Sequence, residues 1–215
     1  MLSESFTTEK LIAALTGYVI VIISLSFHEW GHAFAADKLG DDTPRRMGRV
    51  TINPLAHVDL IGTVIIPLFA LFSGWAVVGW AKPVMINPNN LPKKSQRAWV
   101  TIAGPAMNLA LALWAALAIR LTGYEVMDFD DLVFRIIAIN ISLMLFNLLP
   151  IPPLDGSKFL MYWFGMGERT YVFLARFGWF VMMALFYIPF TRDLIFKMFL
   201  CVLMPFLWLA GIRTA

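Results

Sequence analysis

Two histidines four residues apart, with a glutamate after the first, form His28-Glu29-Trp30-Gly31-His32 toward the end of a long apolar run. On a helix, positions i and i+4 share a face, so both imidazoles can reach one metal ion while Glu29 projects toward a water on that ion. This is the pattern by which a zinc site activates water for amide hydrolysis. Only 3 histidines occur in the 215 residues, which makes a chance pairing beside a glutamate improbable.

A catalytic zinc takes three protein ligands and keeps one position for water, so a third ligand must come from elsewhere. The best candidate is Asp155, which follows the proline-rich Asn147-Leu-Leu-Pro-Ile-Pro-Pro-Leu154. Those prolines end the preceding helix and impose an irregular path back toward the histidines. Asp155 alone would read as a turn or cap residue; paired with HExxH it reads as a ligand. Asn140 and Asn147 are seven residues apart and share a helix face. Asn147 is placed to donate to the oxyanion of a tetrahedral intermediate. Asn108 stands in Ala103-Gly-Pro-Ala-Met-Asn108, where small residues let helices approach closely. A role at the substrate and interhelical packing are both open for each of Asn108, Asn140 and Asn147. His57 and Asp59 lie in a surface loop, and His57 is a secondary candidate near the site.

The elements that position these residues are apolar. The chain is 60% hydrophobic and 14% charged, with mean hydropathy +0.74, far from the soluble balance and typical of an integral membrane protein. The net charge of +3 lies in short loops beside apolar runs, which excludes a nucleic-acid surface and marks topology instead. The one cysteine, Cys201, permits no internal disulfide. Glu4 and Glu9 before the first run, with no small-residue cleavage site after it, argue for a retained helix over a secretory signal.

The first helix is expected from about Leu11 to Leu39, stopping at Gly40. The rise from Leu11 to His28 is about 25 Å, which puts the metal near the far face of the bilayer. Further full spans are expected at about 98–121, 132–149, 171–188 and 194–212. The β-prone Val50-Thr51-Ile52 and the stretch from Val77 to Ile86 predict two short strands or a hairpin at the membrane boundary. Residues 60–76 are apolar but interrupted by Gly62, Pro67 and Gly74. The basic loops on either side of this run belong on one face, the cytoplasmic one, as do Asp155 and the histidines. A re-entrant hairpin at 60–76 satisfies both demands; a sixth full span does not. The fold class predicted is therefore mainly α: a polytopic membrane protein with about five full transmembrane helices plus a re-entrant hairpin, or six spans, and a small membrane-associated β-element. One domain, 1–215, is expected, with a catalytic core at about 11–160 and a C-terminal helical pair at about 171–212.

Taken together, Phe27-His-Glu-Trp-Gly-His32, Ala103-Gly-Pro-Ala-Met-Asn108 and Asn147-Leu-Leu-Pro-Ile-Pro-Pro-Leu-Asp-Gly156 resemble the site-2 protease family of zinc intramembrane metalloproteases. The resemblance is to a compact form, with no stretch that reads as a PDZ or CBS domain. It implies one Zn2+ per chain on His28, His32 and Asp155, Glu29 as general base, and Asn147 on substrate or oxyanion. The region near Val84 and Ile86 resembles the β-element thought to receive extended substrate. The activity implied is hydrolysis of peptide bonds in or near transmembrane segments, as in regulated intramembrane proteolysis. Implied partners are transmembrane substrates, the lipid bilayer and a regulatory membrane protein, in a prokaryotic cytoplasmic membrane. A metal carrier predicts broken helices in two repeated halves, and an inactive scaffold predicts loss of site residues; neither pattern is present.

Overall fold

The computed structural model describes residues 8–67, 80–124, 126 and 131–212. Helix α1, Thr8–Leu39, carries Glu9 in its first turn and Lys38 in its last, charges that complement the helix dipole. It gives way at Gly40, whose φ of +111° only glycine adopts freely. A short helix α2, Thr43–Arg46, follows with Pro44 in its first turn. Helix α3, Lys94–Thr122, opens with the Gln96 side chain accepting the Lys93 N–H and ends at left-handed Gly123. Helix α4, Leu132–Asn147, is capped by Asp131, whose carboxylate accepts the Val133 N–H at 2.8 Å. Helices α5, Asp155–Trp163, α6, Glu168–Tyr187, and α7, Pro189–Ala210, complete the described chain.

Helix α3 is the hub. One face packs on α1, and another joins α4 and α7 in a core of Ala112, Ala116, Ile119, Ile137, Ile141, Leu203 and Leu207. The α1–α3 contact is close because Gly31 lacks a side chain: a Cβ there would stand 2.7 Å from the Ala103 carbonyl oxygen. Small residues thus bring the two backbones together, as membrane helices require in place of a hydrophobic driving force.

The chain is an α-helical integral membrane protein, and its details depart from the expected count of spans. Among the described residues three helices, Leu11–Leu39, α3 and α7, are long and apolar enough to cross a bilayer. Helix α4 has only 16 residues, cut by its Asp131 cap and by the turn after Asn147. Helix α6 bends by 50° between Glu168–Gly178 and Phe180–Tyr187.

The β-element needs correction: the described residues contain no strand. Val50 and Thr51 form a bend, and Ile52 is irregular. In the segment 80–87 the backbone donors go to tertiary partners in place of a ladder. Trp80 donates to the Gly62 carbonyl at 3.2 Å, Lys82 to His57 at 2.8 Å and Asn87 to the Asp41 carboxylate at 2.7 Å. Residues 77–79 of the expected second strand lie outside the described residues. Of the run 60–76, Leu60–Ile65 is a π-helix capped by Asp59, while 68–76 lies outside the described residues.

Candidate metal centre

His28 and His32 project from one face of α1 toward α3, where Val100, Gly104 and Asn108 repeat every four residues. Each imidazole Nδ1 is taken up by that stripe: His32 Nδ1 lies 2.7 Å from the Val100 carbonyl oxygen, and His28 Nδ1 lies 2.7 Å from Asn108 Oδ1. Both partners accept, so both Nδ1 atoms donate, and each neutral ring presents a bare Nε2 lone pair. Gly104, having no side chain, lets both rings approach the α3 backbone closely. A Cβ there would stand 2.6 Å from His32 Cε1 and 2.7 Å from His28 Nε2.

Asp155 opens α5, where the helix N-terminus favours its negative charge. The turn that delivers it is tight: a Cβ on Gly156 would overlap the Leu148 and Leu149 carbonyls. Asp155 Oδ2 comes to 3.0 Å from His32 Nε2 and 3.1 Å from His28 Nε2, and the two Nε2 atoms are 3.1 Å apart. All three residues are buried. Two lone pairs and a carboxylate oxygen at this spacing repel unless a cation lies among them. Protonating both rings would set two imidazolium charges 3.1 Å apart, so a single metal ion satisfies the geometry better. Tetrahedral zinc with bonds near 2.1 Å separates its ligands by about 3.4 Å, within a few tenths of an ångström of this arrangement. Two imidazoles and one carboxylate are a donor set zinc accepts, and no other group of three or more His, Cys, Asp or Glu side chains converges in this way among the described residues.

These residues border a cavity of about 430 Å³ whose wall also includes Glu29, Val84, Ile86 and Asn147. Glu29 Oε2 accepts the backbone N–H of Val84 at 2.9 Å. Asn147 Nδ2 donates to its own helix at the Leu143 carbonyl, 3.0 Å away, leaving its second N–H and its oxygen to the cavity. Asn108 and Asn140 are buried behind His28 and do not border the cavity. His57 is also buried away from it, with Nε2 donating to the Thr51 carbonyl at 2.8 Å.

Lys158 escaped the sequence reading. Its ammonium donates to Asp155 Oδ1, the oxygen turned away from the histidines, at 2.7 Å. Burial pulls the Lys158 pKa down, but the Asp155 carboxylate outweighs it and the ammonium is held above its ordinary range. The signal was present: a lysine three residues after the ligand, on the same helix face.

Residues 16–128 and 124–188 match the sequence model of Peptidase family M50. A Bacillus subtilis (strain 168) protein named "Putative zinc metalloprotease YwhC" is 34% identical over 217 residues, covering 90% of this chain and 96% of that protein. Two proteins named "Putative zinc metalloprotease Rip2" are each 30% identical, in Mycolicibacterium smegmatis over 145 residues and in Mycobacterium tuberculosis H37Rv over 142. The match covers 63% of this chain and 52% of each Rip2 protein, so the chain spans about half their length. No solved structure matches it. With a family match running through both arms of the metal centre and a relative aligned along nearly its whole length, the chain belongs to peptidase family M50, the site-2 protease family.

Proposed function

We propose that this peptidase is a zinc-dependent intramembrane endopeptidase, cleaving membrane proteins in or near their transmembrane segments. The observation that carries the reading is the convergence of His28, His32 and Asp155 beside Glu29 on a cavity wall, within a chain of membrane-length apolar helices. Bound zinc supplies Lewis acidity to the attacking water and the scissile carbonyl. Glu29 takes the proton of that water and returns it to the departing amine. Asn147, through its uncommitted N–H, donates to the developing oxyanion. A transmembrane helix hides its peptide bonds in its own hydrogen bonds, so the substrate unwinds before attack. The segment with Val84 and Ile86 borders the cavity and is the proposed seat of that extended chain. In this reading the metal lies near the cytoplasmic face and 1–215 acts as one catalytic domain.

The test is the purified chain reconstituted in liposomes with a single-pass membrane protein, with bound zinc and substrate cleavage measured together. One zinc per chain and cleavage are expected. Glu29→Gln retains the zinc and loses roughly 10²–10⁴-fold in rate. Zinc binding without cleavage of single-pass proteins would favour a metal carrier or an inactive scaffold.

A further inference from the structure

His28 and His32 are oriented by different means. His32 Nδ1 donates straight to a backbone carbonyl, that of Val100, whose polarity is fixed. His28 Nδ1 meets a side-chain amide, Asn108, which could present either its oxygen or its nitrogen. What decides between them lies further back.

Two backbone carbonyls that only accept decide it: that of Ser24 on α1, directly, and that of Ile136 on α4, through Asn140. Asn140 Nδ2 donates to the Ile136 carbonyl at 2.9 Å, which turns Asn140 Oδ1 toward Asn108. Asn108 Nδ2 donates to that oxygen at 3.0 Å and to the Ser24 carbonyl at 3.3 Å. Asn108 Oδ1 is thereby left facing His28 Nδ1 at 2.7 Å. Reversing any amide along this path would set acceptor against acceptor in a place without water: Asn108 is 0%, Asn140 1% and His28 3% exposed.

We propose that Asn108, oriented by Asn140, is a positioning pair that fixes the proton of His28 on Nδ1, so that its Nε2 lone pair is permanently turned to the metal. Neither asparagine touches substrate or zinc in this role. They hold one ligand in the only tautomer that binds, and they link α4 to a metal site built on α1 and α5. The inference rests on the metal reading given above, yet its first consequence is visible without metal.

The test uses the full chain in micelles with 15N-labelled histidine; only 3 imidazoles are present, so His28 is resolved by comparison with a His28→Ala chain. In the metal-free wild type the His28 proton is expected on Nδ1. Asn108→Leu is expected to move it to Nε2 and to weaken zinc binding, by chelator competition, roughly 10–100-fold. Asn140→Leu removes the nearer of the two acceptors that orient the Asn108 amide and leaves the Ser24 carbonyl at 3.3 Å, so it gives a mixed tautomer and a smaller loss. Asn108→Asp, with its second oxygen protonated so that it can donate to Asn140 Oδ1, retains an acceptor for Nδ1 and stays within a few-fold of wild type. A merely structural role for the pair would lower metal-free thermal stability and leave tautomer and affinity alone. That outcome in either leucine variant overturns the proposal, and Asn140→Leu carries the test where Asn108→Leu does not fold. A wild type with Nδ1–H at His28 but no zinc binding overturns the metal reading and leaves the tautomer assignment standing.

Discussion

The backbone N–H of Val84 donates to Glu29 Oε2 across 55 residues of sequence, at 2.9 Å. The proposed base is therefore held by the same segment that borders the cavity. A hydrogen bond to a charged group contributes about 1.5–3 kcal/mol, or roughly 10–100-fold in rate where it orients the base. Val84→Pro removes the donor and is expected to lower the cleavage rate by that factor with zinc content unchanged. Val84→Ala keeps the N–H and should cleave near normally; a comparable loss in Val84→Ala would assign the effect to the side chain.

Gly104 occupies the space beside both metal-facing nitrogens. Gly104→Ala is expected to cost about 1–3 kcal/mol in overpacking and to displace the imidazoles, so zinc per chain falls with thermal stability. Gly167 is the control, since a Cβ there meets nothing within 4 Å and its φ of −66° suits any residue. Gly167→Ala should leave both measurements unchanged.

Lys158 holds the Asp155 oxygen that points away from the histidines. Lys158→Met leaves that oxygen without its cation and frees the carboxylate to turn. Zinc affinity is expected to fall about 10-fold, as for other losses of a group behind a metal ligand, and Lys158→Arg to recover part of it. Chelator competition on the purified chain measures both.

Asp41 is fully buried just beyond α1 and accepts from Thr43, from the Asn87 N–H and from the Asn90 amide. Burial pushes its pKa up, but these hydrogen bonds outweigh that and hold it below the ordinary 3.8. A carboxyl depressed in the folded state adds stability above its unfolded pKa, and this is lost as pH falls through the folded value. Thermal melts should therefore drop as pH falls below about 4. Asp41→Ala should flatten that acid slope and destabilise at neutral pH by about 1.5–3 kcal/mol. Because Asp41 ties 87–90 to the end of α1, cleavage should fall as well.

The parts of the site legible in the sequence were those whose geometry is local. His28 and His32 sit one helical turn apart, and Asp155 could be picked out because a third ligand was required and a proline-broken path led to it. The environment of Asn108 and Asn140 was not legible, since helical spacing names a shared face without saying whether that face meets a cavity or the back of a ligand. The strands failed for a related reason. Val84 and Ile86 have strand-forming side chains, but the segment's donors are claimed by Gly62, His57, Glu29 and Asp41, partners that only the assembled fold brings near. Helix α4 read as a full span because apolar residues continue past Asn147 to Leu149, beyond the point where the helix turns aside.

The shortness of α4 bears on the membrane itself. Sixteen residues rise about 24 Å, against a hydrocarbon layer of about 30 Å. A helix that falls short by several ångströms draws the lipid headgroups inward around it or is met by polar loops that dip to its end. At the Asn147 end the chain turns into residues 148–154 and returns as Asp155, so a shortfall at that end would fall beside the metal ligands. A bilayer thinned at that end would give hydrolytic water its shortest path to Glu29.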